Sequence, residues 1–321
     1  MARFDAERVL ASAEAMAVLR ALADALRAAG SVNEVPAGAT AEARAIHELG
    51  LGLDVERAAA MAADITADDL DVLVDAGAID VDGDTITPRF ALYVQGPQVV
   101  LVPRDGGEDT ARVYFGRDTL LLAELAHRFG PGRGVAADLG TGAGAVALRL
   151  ADTYDVVVAT DVLVRTVASA TITMRLNPRP DGRPPVSTCV ADVSAGLRAG
   201  AFDLVVANPP WMPVHPDAAP RVFAEGGATG FELPRRFAVE AAALLAPGGS
   251  AVVLMLDLTW SNLTRPVHGL ARGLQRLGYD VAIHPTDPDA TTWPELETDL
   301  VARFEHIVAA THVALLVHRR P

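Results

Sequence analysis

Apolar residues recur at helical spacing through the first seventy or so positions, and from about Asp118 short β-branched runs alternate with amphipathic stretches. Leu10, Ala13, Ala17, Leu19 to Leu22 and Leu26 predict one helix that stops at Gly30. Ala41 to Leu49 and Val55 to Ala63 predict two more. Thr66 caps a fourth, whose stripe is Leu70, Leu73 and Val74 and whose end is Gly77. Ile79 to Val81, the turn Asp82-Gly83-Asp84 and Thr85 to Thr87 then read as a hairpin.

Residues 96 to 117 hold two short β-prone stretches around a Gly-rich turn and form the join. Beyond it the pattern predicts helices over Thr119–Phe129, Ala145–Leu150, Val164–Leu176, Arg235–Leu245 and Leu270–Leu277. Strands are predicted over Val135–Leu139, Asp155–Thr160, Val186–Val190, Phe202–Ala207, Ser250–Leu256, Val281–His284 and Val313–His318. Such alternation specifies an α/β fold, a mostly parallel seven-stranded sheet with helices on both faces. A smaller, mainly helical domain over 1–103 precedes a sheet domain over 104–321. Its order of helices followed by a hairpin resembles a winged helix.

Charge argues against the DNA-binding role that a winged helix invites. Residues 1 to 95 carry 7 arginines against 17 acids, the whole chain has net charge −14, and it contains no lysine. A field of that sign repels a polyanion, so a nucleic-acid partner is not expected, and recognition, a lid or homodimer contact suits the first domain better. The amino terminus has acids at Asp5, Glu7 and Glu14 and no basic flank to an apolar run, so a cytoplasmic protein without membrane spans is expected. Cys189 is the single cysteine and the histidines show no ligand spacing, so neither disulfide nor metal is expected.

Candidate chemistry begins where the first strand of the sheet ends, at Asp138-Leu139-Gly140-Thr141-Gly142-Ala143-Gly144. Glycines there let the backbone turn tightly and lie against a ligand. Gly140, Gly142 and Ala145 satisfy a dinucleotide fingerprint, with Asp161 where a ribose-binding acid belongs. Nicotinamide-dependent oxidoreduction therefore stays open on this loop alone. Asp138, two residues before the first glycine, suits a cationic ligand and would repel a pyrophosphate.

Phe202 to Ala207 is a strand that runs into Asn208-Pro209-Pro210-Trp211. Here the chain resembles the Asn-Pro-Pro-aromatic methyltransferases, a superfamily acting on planar nitrogens, over roughly residues 113 to 256. The resemblance implies a Rossmann-like fold and S-adenosylmethionine (SAM) as methyl donor, with S-adenosylhomocysteine as product. It assigns the donor to Asp138, Gly140, Thr141, Gly142, Gly144, Asp161, Val162, Asp192, Val193 and Asn208. Asn208, Pro209, Pro210 and Trp211 become the catalytic segment. The lone pair of an amide nitrogen is delocalised, so the group must be held in line with the methyl. Asn208 Oδ1 and the Pro209 carbonyl can each accept an N–H, two prolines fix the backbone, and Trp211 can stack on the acceptor.

Glu225-Gly226-Gly227-Ala228-Thr229-Gly230-Phe231-Glu232 resembles a segment of release-factor glutamine methyltransferases, although those usually carry tyrosine at the Trp211 position and a helical-bundle amino-terminal domain. Cofactor binding carries over from that likeness and substrate identity does not. An amino-acid side-chain nitrogen is the leading acceptor, either protein glutamine or a free guanidino or amide metabolite such as arginine. Asp118, Trp211, Glu225, Phe231 and Glu232 are candidate substrate contacts. Methylation of an exocyclic amine in ribosomal RNA, using Arg221, Arg235 and Arg236, is the alternative, and a SAM-binding regulator without turnover is the alternative from another class.

Overall fold

The computed structural model describes residues 3–28, 39–104, 113–182, 184–214, 221–286, 300, 302, 304, 305 and 307–321. In chain order its elements are α1 (Ala6–Ala11), α2 (Ala13–Ala28), α3 (Ala41–Gly50), β1 (Val55–Glu56), α4 (Arg57–Ala62), α5 (Ala67–Asp75), β2 (Ile79–Asp82), β3 (Thr85–Pro88), β4 (Phe90–Gln95) and β5 (Gln98–Pro103). They continue with α6 (Arg117–Phe129), β6 (Val135–Leu139), α7 (Ala145–Leu150), β7 (Val156–Asp161), α8 (Val164–Leu176), β8 (Ser187–Val190) and β9 (Phe202–Ala207). Last come α9 (Glu232–Leu244), β10 (Leu245–Trp260), α10 (Pro266–Arg276), β11 (Tyr279–Pro285) and β12 (Ile307–Arg319). The expected helix end at Gly30, the Gly-rich part of the join at 105–112 and most of the stretch 287–306 lie outside the described residues.

Two compact units emerge: Met1–Tyr114 with Gly142–Gly144 and Leu163–Pro185, and Phe115–Thr141 with Ala145–Val162 and Val186–Pro321. In the first, the helix expected from Leu10 onward is two helices. Ser12 divides them, because its N–H closes the end of α1 on Arg8 and Val9 while its hydroxyl accepts the Ala15 N–H at the start of α2. Val55 and Glu56, expected as helix, instead pair with Ile86 and Thr85, which gives the hairpin a third strand in the order β1-β3-β2. Thr66 and Asp69 form a complete capping box on α5. Of the two β-prone stretches expected at the join, the first is β5, which forms a tight hairpin with the unexpected β4, and the described residues 113–116 of the second are not a strand.

Helix α8 belongs to this first unit, its Ala168, Ile172 and Leu176 buried in one core with Leu19, Leu26, Leu70, Phe90 and Leu101. Polar pairing fixes the register. The Asn177 side chain accepts the Val99 N–H at 2.9 Å and donates to the Val99 carbonyl at 2.6 Å, and Thr173 Oγ1 accepts the Leu101 N–H at 3.1 Å. One amide thus replaces a missing neighbour strand along the edge of β5.

The second unit is a seven-stranded sheet of order β11-β12-β10-β9-β6-β7-β8. β10, β9, β6, β7 and β8 run parallel, whereas β12 is antiparallel to both β10 and β11. Alanine, valine and leucine on one face of the strands meet α9 and α10 in a core that includes Leu139, Val205, Val253, Phe237, Ala241 and Val267. Helix α6 packs on β9 and β10. This parallel order sets the ends of β9, β6, β7 and β8 side by side, the edge at which open α/β sheets bind ligands. Strands β10 and β12 run longer than expected and stay paired from Ser250–His318 to Trp260–Ile307, so a two-stranded ribbon projects beyond the sheet.

Among the described residues no helix is long and apolar enough to cross a membrane. Asn177→Ala is expected to strand two partly buried backbone groups of Val99 and lower the stability of the first unit by about 2 to 3 kcal/mol, at roughly 1 kcal/mol or more for each lost partner. Urea denaturation followed by circular dichroism checks this. A loss under about 0.5 kcal/mol would mean that water substitutes for the amide.

Candidate functional site

The loop after β6 is closed by its own acid. Asp138 is 2% exposed, and its Oδ2 accepts the Thr141 hydroxyl at 2.6 Å and the Ala147 N–H at 3.1 Å. Thr141 N–H in turn donates to the Thr160 carbonyl at 2.8 Å, which ties the loop to the end of β7. Gly140, Gly142 and Gly144 hold φ of +71°, +56° and +82°, a region that side-chain-bearing residues enter only at a cost. Burial pushes the Asp138 carboxyl up to about 6, against the hydrogen bonds from Thr141 and Ala147, and the nearby acid Asp161 adds to the rise. A second acid, Asp161, ends the neighbouring strand β7, and an acid at this loop is of the kind that fits the cationic amino-acid end of a sulfonium cofactor. Asp161 would hold its ribose.

Next along the edge, Asp192 is exposed and its carboxylate takes Arg236 Nη1 at 2.8 Å, while Arg236 Nε donates to Glu240 at 2.7 Å. Val162 is 53% exposed, and Val193 is buried at φ +55°, an uncommon state for a β-branched residue, where its carbonyl accepts the Thr160 hydroxyl at 2.9 Å. Of the arginines considered for an RNA groove, Arg236 is therefore committed to acids.

The Asn-Pro-Pro-Trp segment is tied to α6. Asp118, in its first turn, is 2% exposed; Oδ1 accepts the Thr119 N–H at 3.0 Å and Oδ2 accepts Asn208 Nδ2 at 2.8 Å. A carboxylate oxygen only accepts, so the Asn208 amide must turn its NH2 toward Asp118. Asn208 Oδ1 is left buried with no hydrogen-bond partner among the described residues. A buried acceptor without a partner costs on the order of 1 kcal/mol or more, so a ligand N–H that reaches it gains that amount. Asp118 thus contacts Asn208, where the sequence offered it as a contact to substrate.

Trp211 is half-buried. It packs on an apolar cluster of Met212, Leu256, Leu258, Ile307 and Ala310 and meets the His312 ring edge to face, centroids 5.7 Å apart. The expected Gly-Gly-x-x-Gly segment lies directly against the Asn-Pro-Pro-Trp backbone. Met212 N–H donates to the Ala224 carbonyl at 2.7 Å and Gly226 N–H to the Met212 carbonyl at 2.8 Å. A Cβ on Gly226 would stand 2.6 Å from the Pro210 carbonyl oxygen, and one on Gly230 would stand 2.6 Å from that of Trp211, so only glycine permits the contact. Glu225 bridges to Met212 through its backbone, Glu232 accepts the Thr229 N–H at 3.1 Å, and Phe231 precedes α9 and packs with its core. The carboxylate of Glu232 is thereby engaged in shaping its own turn.

His312 was not legible as a site residue. The strand expected to begin at Val313 begins at Ile307, and only that extension carries His312 into this cluster. Its signal in the sequence is the alternation of Ala310, His312 and Ala314. The ring is 8% exposed, and burial holds its ionisation down to about 4, against the pull of Asp118. Among the described residues no group of three or more potential metal-binding side chains occurs.

With this geometry in view, residues 115–258 match the family model of the methyltransferase small domain. The release factor glutamine methyltransferase of Deinococcus radiodurans is 34% identical over 158 residues, which are 46% of this chain and 52% of that protein. Its counterpart from Bradyrhizobium diazoefficiens is 33% identical over 126 residues, 36% of this chain and 42% of that protein. The chain thus spans about half the length, or less, of these curated relatives. A methyltransferase structure from Pyrococcus furiosus aligns at 19% identity over 63% of this chain and 83% of its own, with a TM-score of 0.42.

The raised Asp138 value has a definite sign. Its protonated form is the one the fold favours, so in the free protein this group's contribution to stability is present below about 3.8 and lost as pH rises through about 6. A cation bound at the loop needs the ionised form. Calorimetric affinity for SAM is therefore expected to climb between pH 5 and about 6.5 and then level off, and Asp138→Asn to bind more weakly with that step removed. An unchanged step in the variant would assign the titration elsewhere.

Proposed function

We propose, taking residues 115–258 as a class I SAM-dependent methyltransferase domain related to the release factor glutamine methyltransferases, that the chain is an N-methyltransferase acting on a planar side-chain nitrogen of an amino acid. Protein glutamine and a free amide or guanidino amino acid such as arginine are the acceptors in view. SAM supplies an electrophilic methyl group. The observation that carries the reading is the buried Oδ1 of Asn208, which has no hydrogen-bond partner among the described residues and whose direction is fixed by the bond from its Nδ2 to Asp118. That oxygen would take an acceptor N–H, fix the nitrogen in line with the methyl and localise its lone pair. Pro209 and Pro210 deny the chain the freedom to turn Asn208 away, and Gly226 lies against Pro210 and Trp211 while Gly230 lies against Trp211 and Pro213. Trp211 would form one wall for a flat acceptor.

The acidic balance of the chain and the engagement of Arg236 with Asp192 and Glu240 favour an amino acid or peptide over RNA. The test is SAM consumption by the purified protein against free arginine, free glutamine, a glutamine-containing release-factor peptide and total RNA. Asn208→Ala is expected to lose turnover by about a hundredfold or more, as removal of a single oriented catalytic hydrogen bond does, with SAM affinity much less affected. Activity on RNA alone would overturn the acceptor class.

Asp118→Asn separates the support from the acceptor. The new side chain can offer an N–H to Asn208 and let its amide rotate, so kcat is expected to fall at least tenfold while donor binding holds. Equal loss of donor binding would make Asp118 part of the cofactor site instead.

A further inference from the structure

We propose that the outer face of α10 docks α5 of a second copy of this chain, through paired arginines on one helix and paired aspartates on the other. The inference concerns self-association and does not depend on the methyl acceptor.

From Leu258 to Tyr279 the chain carries Arg265, Arg272 and Arg276 and no acid, in a protein of net charge −14. Val267, Ala271 and Leu274 form the buried seam of α10. Positions 265, 269, 272 and 276 follow the spacing i, i+4, i+7, i+11 and therefore line the side opposite that seam. Arg265 is held by Asp257 beside the first turn. Arg272 and Arg276 are exposed and make no hydrogen bond or ion pair among the described residues. Gly269 lies between Arg265 and Arg272 on this face, and Gly273 flanks it. A Cβ at either would meet nothing within 4 Å, so a partner can approach the backbone there.

Leu263 and Leu277 flank the helix and are 78% and 74% exposed, more than any other large apolar side chain among the described residues. Arginine beside bare apolar side chains suits a protein interface. Leucines gain nothing from a phosphate backbone, whose approach the net charge also opposes.

The complement is carried by the chain itself. Helix α5 buries Leu70 and Leu73 and turns Asp68, Asp71 and Asp75 to solvent, where none of the three has an ion pair among the described residues. Asp69 is engaged in the capping box. Asp71 and Asp75 are like charges at i, i+4, a spacing at which repulsion destabilises a helix. Asp75 also stands at the helix end, where the dipole disfavours an anion and no basic residue of the last turn offsets it. Arg272 and Arg276 repel each other at the same spacing. Each pair is four residues apart, about 6 Å along the axis, so the two pairs can face one another in register. Contact then replaces two repulsions with two attractions. With the helices parallel, Arg272 meets Asp71, Arg276 meets Asp75, and the exposed Val74 and Leu277 close the same flank.

Because each copy presents one face of each kind, the contact is heterologous: it forms twice in a closed dimer or repeats head to tail. Exposed ion pairs select a partner and speed its encounter more than they hold it, so the association is reversible and sensitive to salt.

The experiment is sedimentation velocity of the full chain over a concentration series. The expected result is self-association that weakens at least tenfold between roughly 0.05 M and 0.5 M salt, as screening shortens the reach of exposed charges. Arg272→Asp with Arg276→Asp, and separately Asp71→Arg with Asp75→Arg, are each expected to weaken it at least tenfold while circular dichroism stays that of the parent. All four substitutions in one chain, or an equimolar mixture of the two pair variants, restore opposite charges across the contact and are expected to recover association to within about threefold. A parent that sediments as a single chain throughout overturns the proposal, and if it then binds RNA through Arg272 and Arg276 the face is a polyanion site instead. Association that the pair variants leave unchanged lies elsewhere on the surface and overturns it too, as does failure of both the fourfold variant and the mixture to recover.

Discussion

The hydrogen bond from Asn208 to Asp118 decides which way the site faces. An asparagine amide has a donor end and an acceptor end of nearly the same shape, and nothing in a strand terminus distinguishes them. A buried carboxylate on the first turn of α6 does so, because it can bond only the NH2. The amide oxygen is then fixed without a partner among the described residues, and the use proposed for the Asn-Pro-Pro-Trp segment follows from that fixed direction.

Other parts of the second unit serve the same end. Prolines hold the segment from within, and the glycines at 226 and 230 allow a second segment to press against its backbone at distances no side chain would tolerate. The ribbon of β10 and β12 continues past the sheet, carrying Leu256, Leu258, Ile307 and Ala310 as an apolar floor for Trp211 and presenting His312 beside it. On the function proposed above, rigid backbone, apolar floor and oriented amide lower the entropic cost of aligning an acceptor. The glycine loop after β6 is built on a different principle. There the buried Asp138 carboxyl is held short of full ionisation by desolvation, and a cation would relieve that penalty.

Much of this was readable in the order of residues, for a physical reason. Strand and helix periodicity, the capping residue Thr66, the glycine loop after β6 and the Asn-Pro-Pro-Trp terminus of β9 are local features, each dictated by the conformational limits of a few neighbouring residues. Those limits specified the parallel sheet, the edge at which a ligand belongs and the residue types that face it. Ser12 breaks the first long helix through bonds to Arg8, Val9 and Ala15, a local signal left unread, whereas Val55 and Glu56 join the hairpin because a neighbour in space overrides a weak local preference.

Only the tertiary structure decided how the local features are used. Asp118 stands 90 residues from Asn208 in the chain, and no spacing rule couples them. His312 reaches Trp211 because two antiparallel strands extend together beyond the sheet, and that extension depends on pairing between residues about fifty positions apart. Likewise α8, which looks in sequence like any crossover helix, buries its apolar face with the amino-terminal helices of the first unit. Backbone conformation is set by near neighbours and is written in the sequence. The direction of an amide, the tautomer of a ring and the charge borne by a buried acid are set by whatever the fold places against them.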